Sequence, residues 1–249
     1  MSQVAVTCCP DGIVVASESL LSYEHGRAHG YAQKVFPLGP RLAFAAVGNA
    51  TMPDPRIDSK WPGFGAHLDT LTGGKPVEGD PGTVAERIGR FAVDVLQWLT
   101  DRPRGWETLA IATWHIRYVV AGYDAAGGAG TIVTWTATAA EAHEDERLST
   151  ESKGKAALGV FDEWPPRRGR AVALSGAGGR LRPMPGTRTN SPSAPSDSVL
   201  DRAERAARRV VSLACRRFPR ACGGPLQVLR IEPHRGLHWV EKPPWLPDA

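Results

Sequence analysis

The sequence predicts an α+β fold, with two stacked antiparallel sheets and helices on their outer faces. Three observations lead there. Strand-like and helix-like runs follow one another as strands, helix, strands, helix, strands. The strands come in hairpins closed by turn residues. No alternation of single strands with single helices suggests a parallel sheet.

Residues 4–19 read as a hairpin. Val4 to Cys9 is one arm, Pro10-Asp11-Gly12 is the turn, and Ile13 to Ser19 is the return. Pro presets φ, Asp can bond its own backbone, and Gly tolerates positive φ. Tyr23 to Ala32 reads as a polar loop. A second strand pair runs from Lys34 to Leu38 and from Arg41 to Val47 around Gly39-Pro40, and Gly48-Asn49 ends it. Residues 51–82 are rich in Pro, Gly and Asp without a clear period, and predict irregular structure. Thr83 and Glu86 have capping-box spacing, and Val84, Ile88, Phe91, Val95 and Leu99 continue at helical spacing until Pro103. Strand-like runs follow at 106–112, 116–123 and 130–138.

Residues 164–198, with Pro165-Pro166, Gly176 to Gly179 and TRTNSPSAPSDS, predict a partly mobile insertion. A second helix is expected over about 199–217, with Leu200, Ala203, Ala207, Val210, Val211 and Ala214 on one side. Leu226 to Ile231 and Leu237 to Val240 predict two last strands around Pro233 to Gly236. The Pro-rich tail at 243–249 cannot pair in a sheet interior.

A chain of 249 residues suits one domain of this layered kind, so residues 1–249 are read as a single domain with irregular insertions at about 51–82 and 164–198. Hydrophobic residues at 42% and charged ones at 22% are an ordinary globular balance. No apolar run nears the roughly 20 residues that cross a bilayer. The start lacks a basic region leading into an apolar one, so a cytoplasmic protein without a membrane partner is expected. Cys8, Cys9, Cys215 and Cys222 are expected to be free thiols. The net charge of +4 is too diffuse to imply a polyanion by itself.

The stretch SQVAVTCCPDGIVVASES resembles the start of mature proteasome β-type subunits, in the N-terminal-nucleophile (Ntn) hydrolase superfamily. The family's spacing continues ungapped to Lys34, which heads KVFPLG, and to Gly48 in AAVGN. VVAGYD (119–124), SKGKAALGVFD (152–162) and CGGPLQVLRI (222–231) resemble further family segments, so the likeness touches residues 2–50, 83–162 and 199–240. The resemblance implies an αββα four-layer sandwich and a peptidase or amidohydrolase that forms an acyl-enzyme. It implies Ser2 as nucleophile, Lys34 as its tuning cation, Glu18 as the partner of Lys34, Gly48 as oxyanion donor and Ser152 as support. Substrate would be a peptide or other amide, with pocket walls near Leu20, Leu21, Tyr31 and Val47 to Asn49. The likeness further implies a ring-like homo-oligomer, and no metal or organic cofactor.

The residue types suit that chemistry. A serine hydroxyl needs a base, and with Met1 removed the α-amine of Ser2, of ordinary pKa about 7.7–8, is such a base. A buried ammonium at Lys34 would lower the hydroxyl's pKa, and Glu18 would keep it protonated. One oxyanion donor is typically worth about 3–4 kcal/mol. The chain also departs from the family. Glu18 stands where Asp is usual, Leu20 replaces an expected Arg, and Pro219 and Cys222 occupy the places of a supporting Asp and Ser. The helix expected after Gly48-Asn49 gives way to the Pro-rich 51–82 stretch. These departures carry an alternative reading, a proteasome-like scaffold of little or no activity.

Cys215, Cys222, His234 and His238 do not have zinc-finger spacing, and His143-Glu144 lacks the second His of a metalloprotease helix. Arg202, Arg205, Arg208, Arg209, Arg216, Arg217 and Arg220 make a basic helix. Without interleaved aromatics it reads as a solvated or subunit-facing surface, and a nucleic-acid-binding module ranks third.

Overall fold

The computed structural model describes residues 3–22, 28–48, 52, 54–59, 62–101, 115–149, 157–162, 182–183, 198–220 and 222–246. The described chain is a mixed α and β structure with antiparallel sheets and three helices. β1 (Gln3–Cys9) and β2 (Gly12–Ser17) are the predicted first hairpin. They lie inside a six-stranded sheet of order β11-β10-β1-β2-β12-β13. Its other members are β10 (Ala157–Asp162), β11 (Arg182–Pro183), β12 (Gln227–Glu232) and β13 (Gly236–Glu241). A five-stranded sheet runs β5 (Val35–Gly39), β6 (Leu42–Gly48), β7 (Ile116–Gly122), β8 (Thr131–Ala137) and β9 (Ala142–Ser149) in sequence order. β3 (Leu20–Ser22) and β4 (Ala28–Tyr31) form a small two-stranded ribbon.

The hairpin is apolar at nearly every position because both of its faces are covered. Val4, Val6, Ile13 and Val15 pack against Val35, Ala43, Ala45 and Val119 of the five-stranded sheet. Ala5, Cys9, Val14 and Ala16 pack against Leu200, Ala203, Ala207 and Val211 of α3 (Val199–Arg217). The outer face of the five-stranded sheet meets α1 (Phe64–Thr72) and α2 (Pro81–Thr100), through Phe44, Tyr118 and Val133 against Phe64, Ile88 and Val95. α3 begins with a capping box of Ser198 and Asp201. It is further held by Arg230 of β12, whose guanidinium donates to Asp201 and Glu204 at 2.7 Å each. Arg208 donates to Glu204 at 2.6 Å and pairs with Glu241, while Arg205, Arg209, Arg216, Arg217 and Arg220 lie exposed.

Three expectations need correction, and one strand lies where none was expected. The 51–82 stretch is not wholly irregular, because it holds α1. Phe64, His67 and Leu68 supply one buried stripe, too short to show a period, and Gly73 at φ 65° stops the helix in the left-handed region. α2 starts at Pro81, not at Thr83. Asp80 is its cap and accepts from the Thr83 N–H at 2.9 Å, with Pro81 suited to the first turn. The supposed polar loop 23–32 contains β4. β9 was not anticipated, because AHEDERLS is a charged edge strand with His143, Glu144, Asp145 and Arg147 exposed. Strand 106–112 and most of the 164–198 insertion lie outside the described residues. Beyond β13 the tail leaves the sheet and stacks Trp245 on Tyr31 at 5.8 Å. No helix among the described residues is long and apolar enough to cross a membrane.

Asp80→Ala removes the cap of α2 and is expected to cost about 1 kcal/mol. The measurement is a lower urea midpoint with an unchanged slope.

Candidate active site

β2 ends at Ser17, and the next two residues leave the sheet before β3 begins at Leu20. Glu18 sits in that step, fully buried, and Lys34 sits just before β5, 1% exposed. They form an ion pair through Glu18 Oε1 and Lys34 Nζ. A buried pair is stable only if its remaining donors and acceptors are also satisfied. Glu18 Oε1 also accepts the Gln3 N–H at 3.3 Å, and Oε2 accepts the N–H groups of Leu20 at 2.8 Å and Gly223 at 3.2 Å. Lys34 Nζ donates a second hydrogen bond to the Leu20 carbonyl at 2.8 Å. That leaves one of its three protons for a further partner. The carboxylate therefore collects the first strand, its own turn, the approach to β5 and the turn after α3.

Two more side chains hold this arrangement. Ser17 Oγ lies 2.9 Å from the Gln3 carbonyl and 3.0 Å from the Glu18 carbonyl, its one proton shared between them. Gln227, fully buried on β12, accepts the N–H groups of Lys34 and Val35 at 2.9 and 3.1 Å and donates to the Ala32 carbonyl at 2.7 Å. Gln227 was not among the site residues expected from the sequence. A lone amide in the apolar run Leu226-Gln-Val-Leu was the available signal. Gly223 was quoted as part of a motif, but its part in the site was not foreseen. Its carbonyl accepts from the N–H groups of Ser19 and Leu20 at 3.1 and 2.9 Å, so it clasps the Glu18 turn from both sides. At Gly224 (φ 79°) a Cβ would stand 2.6 Å from Ser19 Oγ and 2.5 Å from the Tyr31 ring.

Gly48 is the last residue of β6. The Ala46 N–H donates to the Lys34 carbonyl at 3.3 Å, on the β5 side of the strand. N–H directions alternate along a strand, so the Gly48 N–H turns the same way, past the last β5–β6 pair Val35↔Ala45. Its β7 neighbour is Ile116, on the other edge. Ser2 and Ser152 lie outside the described residues, as does Asn49. The structure thus brings together Glu18, Lys34 and the edge that carries Gly48. Of the expected pocket walls, Leu20 and Val47 are buried and Tyr31 is 55% exposed.

Cys222 is buried next to Gly223, and burial pushes its thiol up to about 12, with the Glu18 carboxylate adding to the shift. Burial likewise raises Cys215, again with Glu18 contributing. Such thiols stay protonated and unreactive at neutral pH. All four cysteines are free. No group of three or more His, Cys, Asp or Glu side chains that could hold a metal gathers among the described residues.

No protein-family model matches the sequence, and no curated protein matches it. Solved structures do match. One is an Anbu protein of Hyphomicrobium sp. strain MC1, in its Gly-1 mutant form. It is 11% identical over 99% of this chain and 89% of that one, with a TM-score of 0.57. The chain has a proteasome-like fold. Identity this low carries the fold alone, so the chemistry of a proteasome-like site must be argued from the side chains present.

Lys34→Met leaves the Glu18 carboxylate buried without its cation and is expected to cost about 3–5 kcal/mol in chemical denaturation. Adding Glu18→Gln should recover part of that loss. The Cys222 thiol has an ordinary pKa of 9.0 in an unfolded chain and a raised one in the fold. Its contribution to stability is therefore complete below pH 9 and lost as pH climbs toward 12. Cys222→Ala should flatten the alkaline fall in stability, measured by denaturation from pH 8 upward.

Proposed function

We propose that this protein is a proteasome-like N-terminal serine hydrolase that cleaves peptide or other amide bonds through an acyl-enzyme once Met1 is removed. The observation that carries the reading is the Gln3 N–H on Glu18 Oε1, the same oxygen that pairs with Lys34. Ser2 is joined to Gln3 across one peptide unit, about 3.8 Å between Cα atoms. The reading puts its hydroxyl and freed amine beside the ammonium.

In this reading the Ser2 hydroxyl attacks the amide carbon while its own α-amine takes the proton. The Lys34 ammonium favours the alkoxide character of the attacking oxygen, and Glu18 keeps that ammonium charged and aimed. The Gly48 N–H, turned toward the Lys34 edge and away from β7, meets the oxyanion. Collapse of the tetrahedral intermediate expels the amine with the proton. Water then hydrolyses the Ser2 ester by the same steps. Ser152 belongs to the reading as a supporting residue. An αββα sandwich and a homo-oligomer of like chains also belong to it, in keeping with the three packed clusters and the Anbu likeness.

A second reading is a scaffold that keeps this fold without turnover. It is favoured by Cys222, a protonated thiol beside Glu18 where the resemblance expects a hydroxyl, and by Pro219 in place of a carboxylate.

The test is the intact mass of untagged protein before and after incubation with a peptide epoxyketone, which needs a terminal amine next to a hydroxyl. The hydrolase predicts loss of Met1 and one adduct mapped to Ser2, absent in Ser2→Ala. Retained Met1 on the natively produced chain overturns it in favour of the scaffold.

A further inference from the structure

We infer that Gln227 is a positioning residue whose carboxamide sets where the Lys34 ammonium stands. This deepens the hydrolase proposed above and rests on it for one of two readouts. The head of Lys34 is fixed by Glu18 and the Leu20 carbonyl. Four methylenes separate that head from the main chain, and such a stem has many rotamers. Its charge has one defined place only if the Cα is held as well.

Gln227 supplies that second hold. β5 is an edge strand, and its ladder to β6 begins at Val35↔Ala45. The N–H groups of Lys34 and Val35 instead converge on Gln227 Oε1, while Nε2 closes on the Ala32 carbonyl. Gln227 itself is fixed on β12 opposite Ser17 of β2. That Ser17 hydroxyl grips the carbonyls of Gln3 and Glu18. One carboxamide therefore ties the lysine's main chain, at the entry to the five-stranded sheet, to the strand pair that leads to its carboxylate.

The residue type is specified by this geometry. Two converging N–H groups need an oxygen, and the carbonyl 2.7 Å from Nε2 needs a donor on the same arm. Leu at 227 would take this partner from the buried N–H groups of Lys34 and Val35 and from the half-buried Ala32 carbonyl. An ionised Glu would turn its second oxygen on the Ala32 carbonyl, whereas a protonated Glu would accept and donate as Gln does.

The experiment compares wild type, Gln227→Leu and Gln227→Glu in two ways. One is kcat and KM against pH on a fluorogenic peptide amide. The other is acetylation of Lys34 by succinimidyl acetate, located by mass spectrometry. Gln227→Leu is expected to lower kcat about 10- to 100-fold with KM within about 2-fold, and to reshape the pH profile. It should also turn a protected Lys34 into a labelled one. Gln227→Glu should approach wild-type kcat at low pH and lose it as its carboxyl ionises. A merely structural role would lower Tm without moving the profile. Wild-type kcat, profile and protection in Gln227→Leu would overturn the role. If Gln227→Leu does not fold, the pH response of Gln227→Glu decides, and its absence overturns the role. If the wild type cleaves no amide, the hydrolase reading fails while the acetylation pattern still decides what Gln227 does.

Discussion

The rest of this structure depends on one constraint, the burial of the Glu18–Lys34 ion pair. Withdrawing both charges from water is costly, and the fold offsets that cost only by bringing further polar groups to them. It does so with main-chain N–H groups of Gln3, Leu20 and Gly223 on the carboxylate and the Leu20 carbonyl on the ammonium. These groups belong to parts of the chain far apart in sequence. The pair therefore fixes the start of β1, the exit from β2, the approach to β5 and the turn after α3 relative to one another. The apolar clusters stabilise the layers. The ion pair makes one end of the packed sheets a place where charge is held without water.

The same constraint accounts for how departures from the family pattern are accommodated. The extra methylene of Glu18 goes with a carboxylate that takes N–H groups on both oxygens. The turn after α3 meets it through the Gly223 main chain, not through the side chains at 219 or 222. Cys222 fills space beside the pair as a protonated thiol.

Much of this was legible in the residues, for identifiable reasons. The Pro10-Asp11-Gly12 turn and the apolar arms gave the first hairpin, and the stripe from Leu200 to Ala214 gave α3 at its observed bounds. Glu18 and Lys34 were matched to each other by register with a family; locally, the apolar strand before Glu18 and the one after Lys34 point only to burial and to some partner of opposite charge. α1 was missed because its buried stripe is only Phe64, His67 and Leu68, set among prolines and glycines. β9 was missed because an edge strand can be almost wholly charged. Gln227 and Gly223 were missed because their roles depend on contacts with residues about 190 to 205 positions away.

The most direct test of the central claim is lysine-selective NMR of the Lys34 side chain. A buried ammonium held by Glu18 and the Leu20 carbonyl predicts a slowly exchanging NH3+ signal at neutral pH, with a shift unlike the surface lysines and lost in Glu18→Gln. A Lys34 signal that exchanges as fast as the surface lysines and ignores Glu18→Gln would contradict the account.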